Sequence, residues 1–181
     1  MNPATSALDR RGEFENATRV AVVAALSATT MLFASLVSAY LVRRSFPDWR
    51  PSPAMWPLAL LAFALAASLG LEVAARAERN RRRLGFMALA LGSGLYLLGV
   101  IAVIASVTSD ARGLVGPFNA FVVLLLSLHA VHALVGSAFA WWVLRADTNT
   151  GPDHGLLLAR LVTHFLTALL CGILFLLFVM Q

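Results

Sequence analysis

The sequence contains no lysine and only one cysteine, Cys171, among its 181 residues. A single thiol forms no disulfide within the chain, so a small scaffold held together by disulfides is excluded. Charged residues make up 13% of the chain and apolar residues 60%, against about 25% and about 45–50% in soluble domains. This apolar excess indicates a membrane protein, because a water-soluble core in so short a chain cannot bury it.

The sequence also lacks a phosphate-binding glycine loop, a Cys-x-x-Cys pair and a recognisable catalytic triad. The formal charge of +5 reflects an excess of arginine, but nucleic-acid binding needs a soluble basic face with interleaved aromatic residues. Here the arginines lie between apolar runs, as they do in membrane loops. We therefore expect no nucleic-acid partner, and no redox or catalytic centre in this chain.

Five long apolar segments follow one another, separated by short polar breaks, at 20–42, 56–75, 84–107, 118–144 and 156–180. Each is long enough to cross a hydrocarbon core as a helix, which takes about 20 residues. A helix satisfies its own backbone in lipid, and the segments lack the polar alternation of barrel strands. The prediction is an all-α fold, a single membrane domain of five transmembrane helices over residues 1–181.

The distribution of arginines predicts the orientation of these helices. Ten of the 14 arginines lie on one side: nine precede the first helix or lie between the second and third or the fourth and fifth, and Arg160 lies near the start of the fifth. Cytoplasmic loops carry the excess of basic residues, so we expect a cytoplasmic N-terminus and an external C-terminus. The first segment exceeds the about 7–15 apolar residues of a signal peptide, and we expect it to remain as a helix.

Histidines are the most conspicuous polar residues of the apolar segments. His129 and His132 lie three apart in the fourth helix and share a face, while His164 lies early in the fifth. Such a set is able to bind a metal or haem, or to form hydrogen bonds between helices as neutral imidazoles. We favour hydrogen bonding, because no carboxylate or thiolate is obviously placed to complete a metal site.

A single acid, Glu72, is embedded near the end of a predicted helix. Arg76 follows it by one turn, so the two side chains are able to pair. We favour an interfacial ion pair over a proton-carrying role, because long basic side chains reach the interface from such positions. Small residues such as Thr29 in the first helix and Gly92, Gly94 and Gly99 in the third predict close helix packing.

Three stretches carry a resemblance to a known family. The 128–136 segment reads LHAVHALVG, a His-x-x-His-x-x-x-Gly pattern that starts at His129. The 31–40 segment reads MLFASLVSAY, an apolar Met-Phe run that ends in Ala-Tyr, and His164 is followed by Phe165. In this order and placement, over about residues 31–178, the chain resembles subunit III of haem-copper (cytochrome c) oxidases in its short, five-helix bacterial form.

The resemblance implies a non-catalytic subunit of a terminal oxidase in the bacterial inner membrane. Such a subunit packs beside catalytic subunit I and other oxidase subunits, binds phospholipid and helps to sustain proton uptake. Haem and copper then belong to the partner, and this chain holds no cofactor of its own. The residues expected to form interhelical polar contacts or a lipid cleft are Thr29, Tyr40, His129, His132 and His164.

Several departures mark the chain as a divergent member. A glutamate that the family commonly carries in the first helix aligns with Thr29, and two further family positions in the last helix are occupied by Thr163 and Thr167. An accessory subunit of a nitric oxide reductase, from the same family, is the first alternative. A small transporter with a histidine-lined path and a haem-binding membrane protein are alternatives of other classes.

The arginine bias makes the orientation testable. In a Cys171→Ser background, we expect an impermeant thiol reagent added to intact cells to label Ser109→Cys but not Asn80→Cys. The reason is that Asn80 lies in the arginine-rich loop before the predicted third helix, whereas Ser109 lies just beyond the opposite end of that helix. Labelling at position 80 and not at position 109 would reverse the orientation.

Overall fold

The computed structural model describes residues 3–49, 56–76, 79–109, 116–146 and 154–178. These residues form five α-helices and no strand: α1 Pro3–Arg44, α2 Trp56–Arg76, α3 Arg79–Ser109, α4 Pro117–Ala146 and α5 His154–Phe178. Each helix contains a stretch of 19–29 residues that is long and apolar enough to cross a membrane. The predicted all-α membrane bundle is confirmed, and the chain is a multi-pass membrane protein.

The helices extend beyond the predicted apolar segments at several ends. Helix α1 begins at Pro3 rather than at position 20, although its apolar span covers only Asn16–Arg44. Arg79 begins α3, whereas the sequence placed it in a loop before the predicted segment. Hydropathy marks where a helix crosses the membrane, and arginine is a good helix former that continues the helix beyond that point. Predicted positions 179 and 180 lie outside the described residues.

Helices α2, α3, α4 and α5 form a closed ring in which each helix contacts the next, and α5 returns to α2. Neighbours in the ring are antiparallel, because their contacts run in opposite directions along the two helices. Between α2 and α5, Ser68 contacts His164 and Glu72 contacts Arg160. Between α3 and α4, Ser93 contacts Ser137 and Tyr96 contacts His129. Helix α1 lies outside the ring against α4 and α5. The end of the bundle at which α1, α3 and α5 begin is called the arginine-rich end.

Small residues bring α2 and α3 into backbone contact. A Cβ atom added to Gly92 of α3 would lie 2.6 Å from the backbone nitrogen of Ala67 in α2. One added to Gly70 of α2 would lie 2.7 Å from the backbone nitrogen of Leu89 in α3. Because lipid supplies no hydrophobic force between helices, such close approach is a main source of their attraction.

Helix α1 is attached along one narrow stripe. Its inward residues follow the alternating three- and four-residue spacing of a helix seam, at Leu26, Thr29, Phe33, Leu36 and Tyr40. Only 11% of its most apolar window is buried, against 28–33% in the other four helices. Most of the surface of α1 therefore faces away from the rest of the chain.

An aromatic cluster fixes the chain where α1 ends, opposite the arginine-rich end. The Trp49 ring packs edge-on against Tyr40 and Phe118, with centroids 5.0 and 5.5 Å apart. Arg43 donates two hydrogen bonds to the Asp48 carboxylate, and these bonds lower the pKa of Asp48. The turn after α1 is thereby folded back onto α4.

Two glycines of α3 differ enough in their surroundings to test the packing against α2. We expect Gly92→Ala to lower the free energy of unfolding by about 1–3 kcal/mol, the usual cost of overpacking. Gly94→Ala is the matched control, because nothing lies within 4 Å of a Cβ atom at that position. There the better helix propensity of alanine should leave stability unchanged or raised by up to about 1 kcal/mol.

Unfolding by increasing SDS in mixed micelles, followed by circular dichroism, measures both variants. Equal midpoints for the two alanine variants would contradict the close contact between α2 and α3.

Candidate functional site

The sequence-predicted histidine of α4, His129, lies at the centre of the ring. Its side chain is 1% exposed, and each ring nitrogen contacts a group on another helix. Nδ1 lies 2.5 Å from the Tyr96 hydroxyl of α3, and Nε2 lies 2.9 Å from the Leu166 carbonyl oxygen of α5. One imidazole therefore joins three helices.

The partners of His129 determine its protonation. A carbonyl oxygen only accepts, so Nε2 carries the hydrogen that is donated to Leu166. Nδ1 is then the acceptor in the neutral ring, and the Tyr96 hydroxyl donates to it. Both nitrogens are satisfied without a charge, which suits a side chain that is buried away from bulk solvent.

His132 occupies the same face one turn later, but among the residues that the structure describes its hydrogen bond stays within its own helix. Its Nδ1 lies 2.8 Å from the carbonyl oxygen of Leu128 in its own helix. Its ring packs edge-on against Phe33 of α1, with centroids 5.8 Å apart. Of the two α4 histidines, His129 connects helices of the ring by hydrogen bonds, and His132 packs against α1.

The second polar cluster lies between α2 and α5, near the arginine-rich end. Arg160 makes a two-pronged contact with the Glu72 carboxylate, with its Nε 2.6 Å from Oε1 and its Nη2 2.8 Å from Oε2. Arg76, the partner expected from sequence, is also present at 3.1 Å. The side chain of Arg76 is 75% exposed and that of Glu72 only 15%, so the interhelical Arg160 contact is the stronger of the two.

His164 belongs to the same cluster. Its Nε2 donates to Glu72 Oε1 at 2.8 Å, and its Nδ1 lies 2.7 Å from the Ser68 hydroxyl. In the neutral ring Ser68 donates to Nδ1, which completes a carboxylate–imidazole–hydroxyl chain. Such a chain is known from hydrolases, but here Arg160 contacts both carboxylate oxygens and Ser68 is 4% exposed. The arrangement clamps α2 to α5.

Thr29 and Tyr40 lie on the buried stripe of α1. The Thr29 hydroxyl donates to the Ala25 carbonyl oxygen of its own helix at 2.9 Å. The Tyr40 hydroxyl instead donates to the Leu176 carbonyl oxygen of α5 at 3.2 Å. Tyr40 is therefore an interhelical contact, as expected, whereas the hydrogen bond of Thr29 stays within α1.

The possible ligands for a metal or haem are dispersed. Among the described ranges, no group of three histidine, cysteine, aspartate or glutamate side chains is close enough to hold a metal ion. The exposed thiol of Cys171 lies in α5, and both nitrogens of His129 contact other helices. That this chain carries no cofactor stays a prediction.

Sequence reasoning missed Tyr96, Ser68 and Arg160. Nothing in the sequence pointed to Tyr96, because spacing along α4 does not show which residue of α3 faces His129. The α2–α5 cluster left a trace, since Ser68 and Glu72 are one turn apart and so are Arg160 and His164. Two such pairs on antiparallel helices are able to meet residue by residue.

Neither a protein-family model, nor a curated protein, nor a solved structure matches the chain. The family resemblance therefore rests on the sequence stretches described above.

The carboxylate of Glu72 offers a matched pair of substitutions. We expect Arg160→Gln to lower the free energy of unfolding by about 1.5–3 kcal/mol, because a largely buried carboxylate loses two charge-assisted hydrogen bonds. Arg76→Gln removes the same charge from the exposed side of the same carboxylate and should cost less than about 1 kcal/mol. Adding Glu72→Gln to Arg160→Gln should recover part of the loss, because no unpaired charge remains.

Unfolding by SDS at constant ionic strength is the measurement for all three. A larger loss from Arg76→Gln than from Arg160→Gln would contradict the assigned interhelical contact.

Proposed function

We propose that the chain is a non-catalytic membrane subunit, similar to subunit III, of a haem-copper terminal oxidase in aerobic respiration. The main observation in support is the position of the motif on which the resemblance depends. His129 hydrogen-bonds to two neighbouring helices, and a Cβ atom at Gly136 would lie 2.8 Å from the Leu166 side chain. The first histidine and the glycine of the motif thus both serve helix packing, which suits a structural subunit.

The outer surface of α1 supports the same proposal. Apolar side chains such as Val20, Met31 and Val42 are exposed by 66–74%, and only one stripe of the helix contacts α4 and α5. Serine and threonine hydroxyls on the outward side, such as those of Ser27 and Thr30, donate to their own helix. An apolar surface on which these hydroxyls are paired suits contact with phospholipid and with the helices of partner subunits.

Within the proposed complex, the partners are catalytic subunit I, other oxidase subunits and membrane lipid. Haem and copper reside in the catalytic subunit, and this chain supports assembly, lipid binding and sustained proton uptake. The membrane is the bacterial inner membrane. The ten arginines of the arginine-rich end support a cytoplasmic location for that end and the N-terminus, with the C-terminus periplasmic or external.

Purification of a tagged chain in mild detergent tests the proposal. We expect a larger subunit that contains haem and copper to co-purify in fixed proportion, and the separated chain to show no Soret band. Membranes that express the untagged chain, taken through the same column, are the control for non-specific capture.

Other outcomes would replace the proposal. A co-purified nitric oxide reductase would assign the chain to that complex instead. A stoichiometric Soret band on the separated chain would show that it is itself a haem protein. Recovery without any other subunit, under conditions that keep respiratory complexes intact, would contradict a subunit role.

A further inference from the structure

A small pocket of about 40 Å³ lies inside the ring and is lined by residues of α2, α3, α4 and α5. One water molecule needs roughly 10–15 Å³ of such space, so the volume suits about three. The hydroxyl-bearing residues that line it are Ser93, Tyr96, Ser137, Thr163 and Thr167.

The two serines supply more hydrogens than they use. Ser93 and Ser137 face each other across α3 and α4, with their hydroxyl oxygens 3.0 Å apart. Each hydroxyl carries one hydrogen, but only one of the two hydrogens lies between the oxygens. Within the described residues, neither serine has another acceptor, so one O–H donor remains beside the pocket.

The other hydroxyls supply acceptors. Thr163 donates its hydrogen to the Ala159 carbonyl oxygen at 2.9 Å, and Thr167 donates to the Thr163 carbonyl oxygen at 3.0 Å. Tyr96 donates to His129. Each of these hydroxyl oxygens keeps lone pairs but has no hydrogen left to donate.

We propose that the pocket is an internal water site. Water matches the pocket because it accepts the remaining serine hydrogen and supplies two hydrogens to lone pairs on Tyr96, Thr163 or Thr167. The bound water then joins the α3–α4 serine pair to α5. This inference does not depend on which complex the chain belongs to.

The opposite possibility is a dry pocket. Most of the exposed wall is apolar, and Ala64, Ala67, Leu97 and Ala133 are among the residues that form it. Apolar cavities stay empty and accept xenon. The unpaired donor of the part-buried serine pair favours water, because a donor held away from bulk water without an acceptor is unfavourable and a single water removes that cost.

Water-edited solid-state NMR of the full chain in bilayers of deuterated lipid tests the site. Magnetisation transfer from water to the side chains of Ser137 and Thr167 should be several-fold faster than transfer to Thr30. Thr30 is the internal control, because it lies midway along the apolar span of α1, is exposed, and donates to its own helix at 2.8 Å.

A double variant shows whether the serine pair holds the water. Ser93→Ala with Ser137→Ala removes the unpaired donor and should lower transfer to Thr167 several-fold, while Ser38→Ala on the outer face of α1 should leave it unchanged. Transfer to Ser137 and Thr167 no faster than to Thr30 in the unaltered chain would overturn the proposal. So would shifts of the Ala67 and Ala133 signals under xenon, since a xenon-filled pocket is dry.

Discussion

Closure of the four-helix ring is the constraint on which the rest of the structure depends. Different contacts hold the four pairs of neighbouring helices together. Glycines bring α2 and α3 to backbone contact. His129 accepts from Tyr96 of α3 and donates to Leu166 of α5, so one neutral imidazole closes two seams. The Glu72–Arg160 pair closes the last, between α5 and α2. Because lipid is as apolar as the side chains, shape and hydrogen bonding hold these helices together.

The closed ring explains why α1 is the helix with the most exposed surface. Glu72 and His129 hydrogen-bond the helices of the ring to one another. Helix α1 packs against this ring through Phe33 on the α4 histidines and Tyr40 on α5. The outward side of α1 presents apolar and self-paired hydroxyl groups to its surroundings. This division, a self-sufficient ring beside a lightly attached helix, is the physical basis for proposing a subunit that packs against a larger membrane partner.

Much of the fold could be predicted from the sequence, because a bilayer imposes a simple rule. Each crossing takes about 20 apolar residues and satisfies its backbone as a helix, so five apolar runs specified five helices. The helix ends were less predictable, since α1 and α3 begin at Pro3 and Arg79, well before the apolar runs that hydropathy marked. The importance of His129 was also anticipated, but Tyr96 and Ser68 were not, because a pattern along one helix does not identify residues on another.

By itself, the sequence determined the number of crossings, the positions of the arginines and a polar content too low for the surface of a soluble domain. Only the tertiary structure decided which of these residues meet. It paired Glu72 with Arg160 as well as with Arg76, and it directed His129 across helices but His132 to its own helix. The physical reason is that hydropathy is a property of each residue, whereas a hydrogen bond depends on the rotation and depth of two packed helices.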